Sequence, residues 1–176
     1  MLYVQQSLGP GEELIHIGKF HWMYTVNSFL SIFWGLVMAI LIMVFAYNGY
    51  HVFGKMPSDV GFLDSIKIIH PGIRGFSFLM FILGLVKFAQ MMVVKATTEI
   101  AITNSRLVYK RGLVARHVGE ISIDRIEGVN VLQSITGRIF NYGRIMIRGM
   151  GVGEVLLPPI EDPISFRRAI EEAKVR

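Results

Sequence analysis

Five histidines, a cluster of three carboxylates and a glycine-rich pentad are the residues whose types and spacing could carry chemistry in this chain. Imidazoles ligate metals when two or more project from one face. Of His16, His21, His51, His70 and His117, only the first two are close, and a spacing of five does not align them on a helix. Glu120, Asp124 and Glu127 are near enough to share acid–base work, but Arg125 sits among them, the pattern of solvated turn residues and local ion pairs. Gly149-Met-Gly-Val-Gly153 has strand-like sequence on both sides. No helix N-terminus and no Walker lysine follow it, so it reads as a hairpin connection rather than a phosphate cradle. The absence of cysteine excludes thiolate chemistry, disulfides and Cys-ligated metals. No serine or threonine has a recognisable His/Asp partner. The expectation is a non-enzyme without metal or cofactor.

Two sets of cations remain as candidate sites. Arg106, Lys110, Arg111 and Arg116 cluster within eleven residues, and Lys87 stands alone in an apolar stretch. What they can do depends on the elements that hold them.

Apolar residues make up 52% of the chain and charged residues 18%, below the quarter or so that is usual in soluble domains. The charges are unevenly placed. Residues 1–94 carry five Lys/Arg and four Asp/Glu, against thirteen and nine in residues 95–176. From Phe20 to Gly54 there is no charge in 35 residues, and a helix needs only about 20 apolar residues to cross a bilayer. Trp22 and Tyr24 precede the most apolar part and Tyr47 and Tyr50 follow it, as rings at two interfaces would. A chain this short offers nothing to bury such a helix against. The pattern predicts a first transmembrane helix over about 24–47.

A second span is predicted over about 73–94, where Lys87 is the one charge between Gly75 and Val94. At 1.5 Å per residue it lies about 10 Å inside the Val94 end, within reach of headgroups by snorkelling. The competing reading is contact with a partner helix inside the membrane. Gly84 and Ala89 are small enough to let the helices approach. Between the spans, 60–69 is expected to be a short interfacial helix ended by His70-Pro71-Gly72. Lys55, Lys67 and Arg74 in the connecting loop, weighed against Lys19, Lys95, Arg106, Lys110 and Arg111 outside it, favour both termini in the cytoplasm. Met1–Glu13 lacks the basic start of a secretory signal.

After Lys95 the apolar run gives way to alternation. Thr98–Thr103, Arg106–Tyr109, Leu113–Ser122, Gly128–Leu132, Arg144–Arg148 and Glu154–Leu157 read as strands. Asp162 as N-cap and Pro163 at the first position start a final helix. Its apolar stripe is Phe166, Ala169, Ile170 and Ala173.

Several of these stretches resemble one family. They are Thr98–Leu113 (TEIAITNSRLVYKRGL), Glu120–Val129 (EISIDRIEGV), Gln133–Gly143 (QSITGRIFNYG), Pro159–Pro163 (PIEDP) and the N-terminal Leu8–Leu14 (LGPGEEL) with His21-Trp22. All are similar to the bacterial pleckstrin-homology-like (PH) domains that flank membrane spans.

The resemblance covers nearly the whole chain. It implies an α+β membrane protein in which a two-helix transmembrane hairpin (22–94) follows an N-terminal segment (1–21). A PH-like antiparallel β-barrel or sandwich (95–176) comes next, with two near-orthogonal sheets, seven strands and a capping C-terminal helix. The family is not an enzyme class. Phosphoinositide-binding PH domains cluster Lys/Arg around the first hairpin, whereas here the tight turn Asn104-Ser105 has only Arg106 beside it.

Three roles follow as expectations. The first is a membrane-anchored scaffold that binds a protein partner or itself through a free sheet edge or the groove beside the last helix. The second is a module that binds or senses anionic lipid through Arg106, Lys110, Arg111 and Arg116. The third is an accessory subunit of a membrane complex, with Lys87 meeting a partner helix. Nucleic acid is not an expected partner, since thirteen basic against nine acidic residues form no basic stripe.

Overall fold

A computed structural model of the chain describes residues 3–55, 57, 59–112, 117–151 and 153–175. In chain order the elements are α1 (Tyr3–Gln6), β1 (Leu14–Gly18), α2 (Trp22–Val52), α3 (Phe62–Ile68), α4 (Pro71–Thr97), β2 (Glu99–Thr103), β3 (Arg106–Arg111), β4 (His117–Ser122), β5 (Ile126–Leu132), α5 (Ile135–Ile139), β6 (Tyr142–Gly149), β7 (Gly153–Leu156), β8 (Ile160–Glu161) and α6 (Pro163–Val175). They form two compact units, residues 25–92 and residues 1–24 with 93–176.

In the helical unit, α2 and α4 are long and apolar enough to cross a membrane. Their large side chains point outward, Phe45 being 82% exposed, while the buried positions of α2 are all small: Ser28, Ser31, Gly35, Ala39 and Ala46. Lipid-facing helices pack this way because the tails solvate Leu and Phe as well as a neighbouring helix does, so close backbone approach decides the interface. The helices meet where a β-carbon on Gly84 would stand 2.7 Å from the Ser31 carbonyl oxygen and one on Gly35 would stand 3.0 Å from the Gly84 α-carbon. The Ser77 hydroxyl donates to the Ala39 carbonyl at 2.8 Å. Ala89 is exposed and takes no part in this approach. Helix α3 lies inside the predicted interfacial stretch, and Pro71 opens α4, where its missing N–H costs no hydrogen bond.

In the β-rich unit the strands form two four-stranded antiparallel sheets. The first has the order β1-β2-β3-β4; the second has the order β5-β6-β7, with β8 also pairing β6. Among the described residues no strand joins the two, so the sheets do not close into a barrel. The short 3-10 turn Ile123–Arg125 separates β4 from β5. Among the described residues eight strands stand where the resemblance implies seven. The hairpin Thr98–Leu113 supplies the second and third of them, because Leu14–Gly18 pairs antiparallel with β2 from the far side of the helical hairpin in sequence. Residues 113–116 of the strand expected over Leu113–Ser122 lie outside the described residues.

Both sheets and α6 enclose one core, in which Ile100, Ile102, Leu107, Ile145, Ile147 and Leu157 are fully buried. Phe166, Ala169, Ile170 and Ala173 are the buried stripe of α6. The Asp162 carboxylate accepts the Ser165 N–H at 3.3 Å, the cap expected for this helix. A β-carbon on Gly18 would lie 3.0 Å from the Phe166 ring, so β1 can pass under α6 only without a side chain there.

Candidate functional site

The hairpin cations are not equivalent. Arg106, at the start of β3, has its guanidinium enclosed by the N-terminal loop. Its Nε and Nη2 each donate to a Glu12 carboxylate oxygen at 2.9 Å, Nη2 also donates to the Ser7 carbonyl at 2.7 Å, and Nη1 donates to Glu120 at 2.7 Å. This forked pairing uses the planar geometry that distinguishes Arg from Lys.

Glu12 is the buried partner, its side chain only 7% exposed. It also accepts the Thr103 hydroxyl at 2.7 Å, the Gly9 N–H at 2.8 Å and the Ser105 hydroxyl at 3.1 Å. Beside it, Asn104 accepts the Glu13 N–H and donates to the Gly11 carbonyl, both at 3.1 Å. The loop after Leu8 is thereby clasped onto the β2–β3 turn. Lys110 is bridged to Glu99 at 2.8 Å. Arg111 is exposed at the end of β3. Arg116 lies outside the described residues. Arg106 and Lys110 thus hold the unit together, and Arg111 is the described member of the set that faces solvent.

Burial raises the Glu12 carboxyl pKa, but hydrogen bonds from Gly9, Thr103, Arg106 and Ser105 outweigh it and hold it at about 2, down from 4.5. A group whose pKa is depressed by folding stabilises the fold above its unfolded value and loses that contribution as pH falls towards the folded one. Thermal unfolding of the full chain in detergent is therefore expected to show about 2–3 kcal/mol lost between pH 5 and pH 2 through this group. Glu12→Gln should flatten that part of the profile, and an unchanged acid limb in the variant would refute the assignment.

Lys87 is exposed on α4, one turn beyond Gly84, at a groove of about 490 Å3 shared with Asn27, Ser31, Trp34 and Gly35. The histidines are dispersed. His16 meets the Phe166 ring edge-on, His21 stacks on Tyr142 with centroids 5.0 Å apart, His51 packs against Tyr47, and the His70 Nδ1 accepts the Gly72 N–H. Among the described residues no three His, Asp or Glu side chains gather as a metal site would require.

Two surface features of the β-rich unit bear on its expected roles. One is a groove beside the last helix, of about 650 Å3, between the end of β5 and the start of α6 and lined by Leu132, Gln133, Arg138, Ile164 and Arg167, residues that the sequence alone did not single out. Its wall β5 is an edge strand. The other is the β5–β6 connection. Ser134 caps α5 by accepting the Gly137 N–H at 3.1 Å, and the Gln133 amide donates to the Tyr142 carbonyl at 3.2 Å. A β-carbon on Gly137 would stand 2.6 Å from that carbonyl oxygen, so the connection is closed too tightly for any other residue there. The Ser134–Thr136–Gly137 pattern was the available signal, but α5 has too few residues for periodicity to reveal it.

The model of the bacterial PH domain family matches residues 14–174. No curated protein and no solved structure matched the chain. The matched span starts at the first residue of β1 and takes in both long helices, both sheets and nearly all of α6. The chain belongs to the bacterial PH domain family.

Proposed function

We propose that this protein is a membrane-anchored, non-catalytic binding module whose PH-like unit presents the β5–α6 groove to a segment of a protein partner, either a second copy or another membrane protein. The observation that carries this reading is the groove's position beside a free strand edge. An extended segment can add to β5 through main-chain hydrogen bonds while its side chains meet Leu132 and Ile164. Arg138 and Arg167 favour an acidic segment, although Arg167 also bridges Glu171 at 2.9 Å.

Anchoring by α2 and α4 confines the module to a surface and raises its effective concentration, so a modest groove affinity suffices. The pairing of β1 with β2 supports both ends of the hairpin lying on one side of the membrane. The loop charges favour the cytoplasmic side of a bacterial inner membrane.

A photo-crosslinking amino acid at Leu132 or Ile164 is expected to give a discrete protein adduct in native membranes, identifiable by mass spectrometry. The same group at Glu154 on β7 should not. Groove positions that yield no more protein adduct than Glu154 would remove the proposal.

A further inference from the structure

The β5–β6 connection carries apolar side chains that the fold does not use. Ile135 is 81% exposed, Ile139 71% and Phe140 42%. Ile135 and Ile139 are four apart on α5 and so lie on the same face. The cap at Ser134 and the close packing at Gly137 hold them there rather than letting them fold inward. A rigid, exposed apolar cluster of this kind marks a contact surface.

Its neighbour identifies the contact. The Phe140 ring meets the Trp22 ring edge-on, with centroids 5.7 Å apart, and Trp22 is the first residue of α2. His21, immediately before it, stacks on Tyr142 at the other end of the same connection. The cluster is thus continuous with the point at which the chain begins its long apolar helix. Two cations lie near it: Arg144 is two residues along β6 from Tyr142 and pairs with Leu132, and Arg111, at the end of β3, is close enough to be felt with Arg144 at the Tyr24 hydroxyl. Both are exposed, and neither has an ion pair among the described residues.

From this juxtaposition we infer that the β5–β6 connection is a second membrane contact: Ile135, Ile139 and Phe140 sink into the interface of the bilayer that α2 enters, and Arg111 and Arg144 meet its anionic headgroup phosphates. Amphipathic surface elements seat their apolar side at the headgroup–acyl boundary in this way, and basic residues beside them are drawn to anionic lipid. The contact would fix the orientation of the PH-like unit on the membrane. Of the first hairpin's described cations it uses Arg111 alone, since Arg106 and Lys110 are already engaged.

The inference rests on α2 being embedded in lipid, and the test separates the two. The chain has no cysteine, so single cysteines can be labelled cleanly. The full chain would carry an environment-sensitive fluorophore on Ile139→Cys, on Phe33→Cys in the middle of α2, or on Glu127→Cys near the opposite end of β6. Each is reconstituted into phosphatidylglycerol-containing vesicles whose acyl chains are brominated. Labels at 33 and 139 should each lose about half or more of their emission, as a side chain at the acyl boundary would, while the label at 127 is unaffected. Exchanging phosphatidylglycerol for a neutral lipid should weaken quenching at 139 and leave 33 unchanged. Quenching at 33 with none at 139 overturns the inference and leaves the anchor standing; quenching at neither overturns both. Quenching at 139 that ignores lipid charge overturns the role given to Arg111 and Arg144.

Discussion

Arg106→Ala is expected to destabilise the β-rich unit by about 3 kcal/mol, the low end of the range for stranding a buried charge. The Glu12 carboxylate would remain, almost fully enclosed, with only the neutral donors of Gly9, Thr103 and Ser105. In a domain of this size that loss lowers the midpoint of thermal unfolding by roughly 10 °C or more. Arg106→Lys should recover only part of it, because one ammonium group cannot reproduce two parallel bonds to Glu12 together with those to Glu120 and Ser7. The double variant Glu12→Gln/Arg106→Ala should be more stable than Arg106→Ala alone, since the stranded charge is gone. Thermal melts of the four proteins in one detergent measure this directly, and an Arg106→Ala variant within about 0.5 kcal/mol of wild type would show the clasp to be ornamental.

Gly84→Leu is expected to break the helical hairpin outright. Its β-carbon would meet the backbone of α2, the Ser31 carbonyl at 2.7 Å and the Gly35 α-carbon at 3.0 Å. Backbone cannot yield as a flexible side chain can, so the helices must separate. Separation also breaks the Ser77–Ala39 hydrogen bond that ties them further along. The expected cost is about 2–4 kcal/mol, as for severe overpacking combined with a lost interhelical bond. Ala89→Leu, on an exposed position of the same helix, should cost almost nothing. Cysteines placed at Ser28 and at Met92, whose side chains meet across the two helices at 3.6 Å, offer a readout: oxidative crosslinking efficient in the parent should fail in the Gly84→Leu background. Equal crosslinking in both would mean that the crossing tolerates bulk.

Much of this architecture was legible in the sequence because it is written in local patterns. The charge-free run announced α2, alternation announced β2, β3, β6 and β7, and the spacing of Phe166, Ala169, Ile170 and Ala173 announced α6. What could not be seen depends on residues far apart in the chain. Glu12 and Arg106 are 94 positions apart, so the basic hairpin looked like a free cationic face when one of its members was already enclosed. Nothing local marks Ser31 and Gly35, inside the charge-free run, as an interface, and only the approach of Gly84 shows them to be one. The tip at Ile135 and Ile139 was hidden for the opposite reason: five residues are too few for a periodic signal.

The partnership of β1 with β2 also constrains biogenesis. Gly18 finds its partner at Ile100, 82 positions later (100 minus 18), with the entire helical hairpin synthesised in between. At about 5–20 residues per second the ribosome needs roughly 4–16 s to cover that distance. Throughout that interval Leu14–Gly18 is a strand without a sheet. On the membrane-anchored reading proposed above, insertion of the hairpin returns the nascent polypeptide to the side on which this strand waits, so the lipid step precedes completion of the first sheet.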